Sequence, residues 1–239
     1  MKKTVLITGA SRGIGRAMAE AFAAAGYDLV LTCLYNIEEL EKLGSELESA
    51  HDVSCRCLAA DAGDCGAVTA LFSQIKRLDV LINNAGIAHM GLLQDMTPEQ
   101  WRRIMATHLY GCFYTCRHAI PLMLAQGAGH ILNISSVWGN VGASMEVAYS
   151  AAKGGVNSFT RALAKELAPS HIQVNAIACG VIDTDMNRCL SKEELDILRQ
   201  EIPADRLGTP QEVAALALQL VQAPGYLTGQ VITLDGGFV

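Results

Sequence analysis

"TGASRGIG", residues 8–15, decides how this chain folds. It follows an aliphatic run, "KTVLIT" at 3–8, and leads into a helical segment at 14–25 that ends at Gly26, a suitable C-cap. Gly9 allows a tight turn. Gly13 and Gly15 let a diphosphate approach the backbone N–H groups of a helix N-terminus, where the dipole favours anions. A glycine-rich turn with no ligand is the plain alternative. The position between a leading strand and a helix, without the Gly-Lys-Ser/Thr of a P-loop, points instead to a dinucleotide.

Outward from that loop, short aliphatic runs alternate with helical segments. Strands are expected at 3–8, 28–33, 53–59, 79–82, 130–135, 172–178 and 230–234. Most lack polar alternation, as central parallel strands buried on both faces do. Thr97–Pro98 and Thr209–Pro210 read as helix starts, a cap followed by proline at the first helical position. No repeat, linker or low-complexity stretch interrupts the pattern. The expected fold is a single α/β domain over residues 1–239: a Rossmann-type, doubly wound parallel sheet of seven strands with helices on both faces. Ligands of such sheets bind beyond the carboxyl ends of the strands. Gly9, Asp61, Asn83, Ser136 and Gly180 all fall at or just after strand ends.

Composition excludes other classes. The 239 residues are 51% hydrophobic and 5% aromatic, with a net charge of −6. That supplies a large core and no basic run, so nucleic acid is not an expected partner. No apolar run reaches transmembrane length. The first strand begins almost at Met1, leaving no room for a leader, so a cytoplasmic, reducing location is expected. Of the eight cysteines, Cys55 and Cys57 lie near His51 and Cys65, but no CxxC pair exists, and no metal site is expected.

The glycine spacing Gly-x3-Gly-x-Gly, "NNAG" at 83–86, Ser136 with Tyr149-x3-Lys153, "CGVIDTDM" at 179–186 and "LDGG" at 234–237 together resemble the short-chain dehydrogenases/reductases over essentially the whole chain. The resemblance implies a cofactor site of Gly9, Ser11, Arg12, Gly13, Ile14, Gly15, Asp61, Ala62, Asn83, Ala85, Gly86, Tyr149, Lys153, Ile182 and Thr184. In it Asp61 contacts adenine, Asn83 lies beside the adenosine, and Ile182 and Thr184 meet the nicotinamide amide. An NAD enzyme of this type often ends its second strand with an aspartate for the ribose 2′-OH. Here Cys33 stands in that place, in "LTCLYN" (31–36), so nothing repels a 2′-phosphate, and Arg12 can reach it. NADP(H) is therefore the preferred cofactor and NAD(H) the second.

Tyr149 and Lys153 lie one helical turn apart on one face. A free tyrosine, with a pKa of about 10, is a poor acid near neutrality. An ammonium nearby favours the phenolate, and Lys153 can also hold ribose hydroxyls. Ser136 can hydrogen-bond a carbonyl oxygen as it becomes an alkoxide. Strand alternation turns Ser135 the other way, into packing. The family's relay asparagine is replaced by His108 in "MATHLYGCF" (105–113), and its usual proline by Cys179. His108 is a candidate to hold the relay water, with a loss of function as the imidazole protonates. A histidine that merely packs is the alternative.

Residues 184–207 are the expected substrate lid. The chain resembles bacterial β-ketoacyl-carrier-protein reductases most generally. Yet "AQGAGH" (125–130) and "APSHI" (168–172) lack the lysines and arginines with which those enzymes dock an acidic carrier. "SSVWGNVGASMEVAYSAAKGG" (135–155) and "GVIDTDMN" (180–187) look more narrowly like reductases of 5-aminopentanone-modified lysine on elongation factor P, and Glu146 could pair with a substrate amine. Hydroxysteroid dehydrogenases and non-catalytic NADP-binding sensors remain alternatives. The expected partner is a ketone, either a small molecule or one attached to a carrier or protein, turned over by a homotetramer paired through helices near 98–126 and 149–168 and the last strand.

Overall fold

The computed structural model describes residues 2–186 and 191–239. Seven parallel strands form one sheet in the order β3-β2-β1-β4-β5-β6-β7. They are β1 (Thr4–Ile7), β2 (Asp28–Cys33), β3 (Cys55–Ala59), β4 (Val80–Asn83), β5 (Gly129–Ser136), β6 (Ile172–Cys179) and β7 (Val231–Leu234). Each expected strand is present, with bounds moved by two residues or fewer. The sequence lacks polar alternation because both faces are covered. Val5 and Ile7 pack with α1 (Gly13–Ala24), α2 (Ile37–Ala50) and α9 (Pro210–Gln222). Leu6, between them, points to the opposite layer with α3 (Cys65–Phe72), α5 (Gly111–Gln126) and α7 (Val147–Leu167).

Local chemistry ends these helices where the sequence says. After α1, Gly26 takes φ +81. The Tyr27 N–H then reaches the Phe22 carbonyl and the Gly26 N–H that of Ala23, which closes the last turn as a Schellman motif. The helices α4 (Pro98–Met105), α8 (Lys192–Glu201) and α9 each begin with a capping box, from Thr97/Gln100, Ser191/Glu194 and Thr209/Glu212. The short helix α6 is Trp138–Val141. A π-helical turn, Ala106–Tyr110, joins α4 to α5 and carries His108.

The chain winds outward from β1 to β3 and returns to the other side of β1 as β4. The switch point lies between β1 and β4, so the loops after these two strands form the crevice. Just beneath it sits a buried polar network. Asn83 Nδ2 donates to Asn133 Oδ1 at 2.9 Å, Thr115 Oγ1 to Asn83 Oδ1 at 2.6 Å, and Asn133 Nδ2 to Thr160 Oγ1 at 2.8 Å. Each partner satisfies another, which ties β4 and β5 to the helices behind them. Of the expected lid, residues 187–190 lie outside the described residues, and α8 forms half of the remainder.

Candidate active site

The glycine loop is pinned from across the crevice. Asn84 Nδ2 donates to the carbonyls of Thr8 and Gly9 at 2.9 and 3.0 Å, and Thr8 Oγ1 accepts the N–H groups of Asn84 and Ala85, both at 3.0 Å. A Cβ at Gly15 would run into the Gly9 carbonyl and stand 2.7 Å from Asn84 Nδ2. Gly9, at φ +68, and Gly13, at φ +54, occupy the left-handed region. Arg12 occupies the N-cap of α1 with no side-chain cap, and the first turn contains no acid. The first-turn N–H groups are thus left for an outside acceptor, and no carboxylate repels an anion. The arrangement fits a dinucleotide diphosphate.

Ser11, Ala62 and Asn83 are buried around this loop, with Ile14 half-buried. A Cβ on Gly13 would lie 3.4 Å from Thr184 Cγ2, so the loop after β6 reaches the glycine loop. That second loop is held by a bridge between Ile182 and Gly208. Arg12 is largely exposed, with NH1 3.7 Å from Asp185 Oδ2, and buried Cys33 ends β2. Two expectations change in detail. The side chain of Asn83 turns into the polar network, so only its backbone faces the crevice. The Asp61 carboxylate is already engaged, Oδ2 by Arg103 at 2.6 Å and Oδ1 by the Gly63 N–H at 2.9 Å. Arg103 and Asn84 carried no role in the sequence reading.

Ser136, Tyr149 and Lys153 converge where β5 ends against α7. The Ser136 hydroxyl accepts the Trp138 backbone N–H at 3.2 Å and favours ionisation of the Tyr149 phenol. Lys153 Nζ lies 5.5 Å from the Tyr149 ring centre and donates to the Ile134 carbonyl at 2.7 Å. Ser135 turns away, as alternation requires, and donates to Asn157 Oδ1 at 2.6 Å. The electrostatics differ from the sequence expectation. Burial pushes the Tyr149 phenol above its ordinary value, and the Ser136 hydroxyl opposes this. Burial also brings Lys153 down to about 8. A helical turn sets the two side chains side by side, but it does not set where the ammonium is directed.

His108 is 2% exposed, and its ring meets that of Tyr149 edge to face, centroids 5.1 Å apart. Its Nε2 lies 2.8 Å from the Ile87 carbonyl and 3.2 Å from the Ile87 N–H. The shorter contact assigns the proton to Nε2, which donates to the carbonyl. Nδ1 is then a bare acceptor, buried and without a partner among the described residues, like Thr107 Oγ1 beside it. Burial, aided by the Lys153 charge, lowers the imidazole to about 3. The expected loss of function as the imidazole protonates is therefore placed well below neutrality, because at neutral pH this ring is uncharged. Cys179 packs in the core, its thiol pushed up to about 12 by burial, which favours the unreactive protonated form. Glu146 is half-buried, and burial raises its carboxyl, which the Trp138 side chain opposes.

A model of the short chain dehydrogenase family matches residues 3–195. The chain is 39% identical over 240 residues to YmfI of Bacillus subtilis (strain 168), described as an uncharacterized oxidoreductase, covering 100% of this chain and 99% of that one. It is 37% identical over 241 residues to the 3-oxoacyl-(acyl-carrier-protein) reductase FabG of Aquifex aeolicus (strain VF5), covering 98% and 96%. Among solved structures, YwfH, an NADPH dependent reductase involved in bacilysin biosynthesis, aligns with a TM-score of 0.93 at 27% identity over 100% of this chain and 99% of that one. The chain belongs to the short-chain dehydrogenase/reductase family and is an oxidoreductase of that family. Among the described residues no helix is long and apolar enough to cross a membrane.

Proposed function

We propose that the protein reduces a ketone to a secondary alcohol with NADPH, with Tyr149 as the general acid. The observation that carries this is Tyr149, half-buried on α7 where β5 ends at Ser136, with Lys153 Nζ 5.5 Å from its ring centre. NADPH supplies the hydride when bound. Ser136 holds the substrate oxygen, and Tyr149 gives its proton to that oxygen as negative charge develops. Lys153 stabilises the phenolate left behind and holds the ribose hydroxyls. The uncapped first turn of α1 takes the diphosphate, with Arg12 reading the 2′-phosphate. His108 fixes the loop at Gly86 and Ile87 and leaves Nδ1 free to hold a water. The test is NADPH oxidation with a panel of acetoacetyl thioesters, aminoketones and steroids. Tyr149→Phe is expected to lose at least about 10²-fold in turnover while still binding NADPH. Retention of a tenth of the activity would remove its role.

FabG of Aquifex aeolicus is named for a carrier-protein-bound substrate, and a β-ketoacyl ester is the first substrate to try. A second reading, a 5-aminopentanone carried on elongation factor P, is favoured by one observation. Glu146, three residues before Tyr149, is half-buried beside the Trp138 side chain, and a carboxylate there can pair with an ammonium that an acyl thioester lacks. Glu146→Gln separates the two, since it should weaken aminoketones alone. A homotetramer in the cytoplasm completes the proposal. Tyr110 and Phe113, each 47% exposed on the helices expected to pair, support it. A monomer by light scattering at micromolar concentration would count against it.

A further inference from the structure

The rings of Trp138 and Phe238 meet at 65°, centroids 5.6 Å apart. Both are half-buried, and neither belongs to the hydrophobic cores on the two faces of the sheet. An aromatic pair placed outside the interior needs another reason for its position. Trp138 is one hydrogen bond from the chemistry, since its N–H donates to Ser136 Oγ. Phe238 is brought there by a segment fixed at several points. The Asp235 carboxylate accepts the N–H groups of Gly237 and Val239, both at 3.0 Å. The Gly180 N–H donates to the Leu234 carbonyl at 2.9 Å, and a Cβ on Gly180 would stand 2.7 Å from Asp235 Cα. The Ala204 N–H donates to the Gly236 carbonyl at 3.1 Å, which ties the same segment to the chain that follows α8.

We propose that Phe238, seated against Trp138, is a specificity-determining residue that reads the apolar arm of the ketone lying away from the reacting carbon. This rests on the ketone reductase reading and goes beyond it. Ser136 and Tyr149 grip only the oxygen and treat all ketones alike. A rigid apolar wall two residues beyond the serine distinguishes ketones by the chain they carry. An aromatic surface does so through contact area, with no polar group to satisfy.

The experiment compares ethyl acetoacetate with ethyl 3-oxooctanoate, which share a reacting group and differ in the length of the alkyl arm. In Phe238→Ala the ratio of kcat/KM for the long ketone over the short one is expected to fall roughly tenfold, through KM, as a lost apolar contact in a pocket does. NADPH affinity, measured by its fluorescence, is expected to stay with wild type. A ratio unchanged within twofold overturns the proposal, and so does an equal fall for both ketones through kcat. Quenching of tryptophan fluorescence by ethyl 3-oxooctanoate reads the same contact without turnover. Phe238→Ala should weaken that binding at least fivefold, and an equal dissociation constant overturns the proposal. If wild type binds the long ketone through Phe238 yet oxidises no NADPH, the reductase reading fails and the wall stands.

Discussion

Gly86→Ala is the sharpest test of how the site is held. The glycine is not in the left-handed region, so alanine carries no backbone penalty there. All of its cost is contact. The new Cβ would stand 2.7 Å from His108 Cε1 and 3.4 Å from Nδ1, where carbon atoms rest at about 3.5–4.0 Å. The imidazole cannot withdraw freely, because it is 2% exposed and the edge-on Tyr149 ring lies 5.1 Å away. A shift of about an ångström would break the bond from Nε2 to the Ile87 carbonyl, now 2.8 Å. Overpacking costs about 1–3 kcal/mol and a lost hydrogen bond about 1 kcal/mol more, so the expected destabilisation is about 2–4 kcal/mol. Urea denaturation at one fixed protein concentration measures it. The cause is isolated by repeating the substitution in His108→Ala, where the ring is gone and the added cost should drop below about 0.5 kcal/mol. The reasoning is refuted if Gly86→Ala costs the same in both backgrounds, or nothing in wild type.

Arg12→Ala should weaken NADPH binding about tenfold or more while NADH affinity moves less than twofold, since only the 2′-phosphate distinguishes the cofactors; equal losses would assign the phosphate to another residue. His108→Asn should follow the wild-type turnover profile between pH 5 and 7, because an imidazole lowered to about 3 does not titrate there. The sign for stability is opposite to that of a salt-bridged histidine. Between pH 6.5 and 3 the unfolded chain takes up a proton that folded His108 refuses, so wild type loses stability on acidification relative to His108→Asn. Parallel urea midpoints for the two proteins across that window would contradict the burial that sets this value.

The sheet was legible because each strand is a short aliphatic run, and burial on both faces leaves no polar residue to blur it. The glycine loop was legible for a related reason, since Gly9, Gly13 and Gly15 answer to local backbone geometry. The residues that hold the site together left no such trace. Asn84 acts on Thr8 across 76 positions, Arg103 on Asp61 across 42, and His108 on Ile87 across 21. None of these distances has a sequence period, so an asparagine in "NNAG" reads as a polar turn and an arginine on α4 as a solvated charge. The side chain of Asn83 is the clearest case. Its place at a strand end suggested the crevice, whereas Thr115 and Asn133, from two other elements, turn it inward.

The same limit bears on Tyr149 and Lys153, and it yields the last prediction. The i, i+4 spacing puts both on one face of α7, with Lys153 buried and Tyr149 half-buried. Burial acts on the two groups in opposite senses, raising the phenol and lowering the ammonium to about 8. At neutral pH the pair therefore rests as phenol and ammonium, which is the state that donates a proton to a forming alkoxide. The Lys153 charge then matters most after that donation, when it faces a new phenolate with only Ser136 to share it. The reverse reaction begins from the opposite state, since a phenolate must take the proton from the alcohol, and burial makes that state scarce. Ketone reduction should thus be nearly flat from pH 6 to 7.5. Alcohol oxidation, measured as NADPH formation under single-turnover conditions, should climb by up to about tenfold for each unit of pH over the same span. An oxidation rate as flat as the reduction rate would mean that the resting phenol is far more acidic than its burial allows, with Lys153 directed at Tyr149 in the working enzyme rather than at the Ile134 carbonyl.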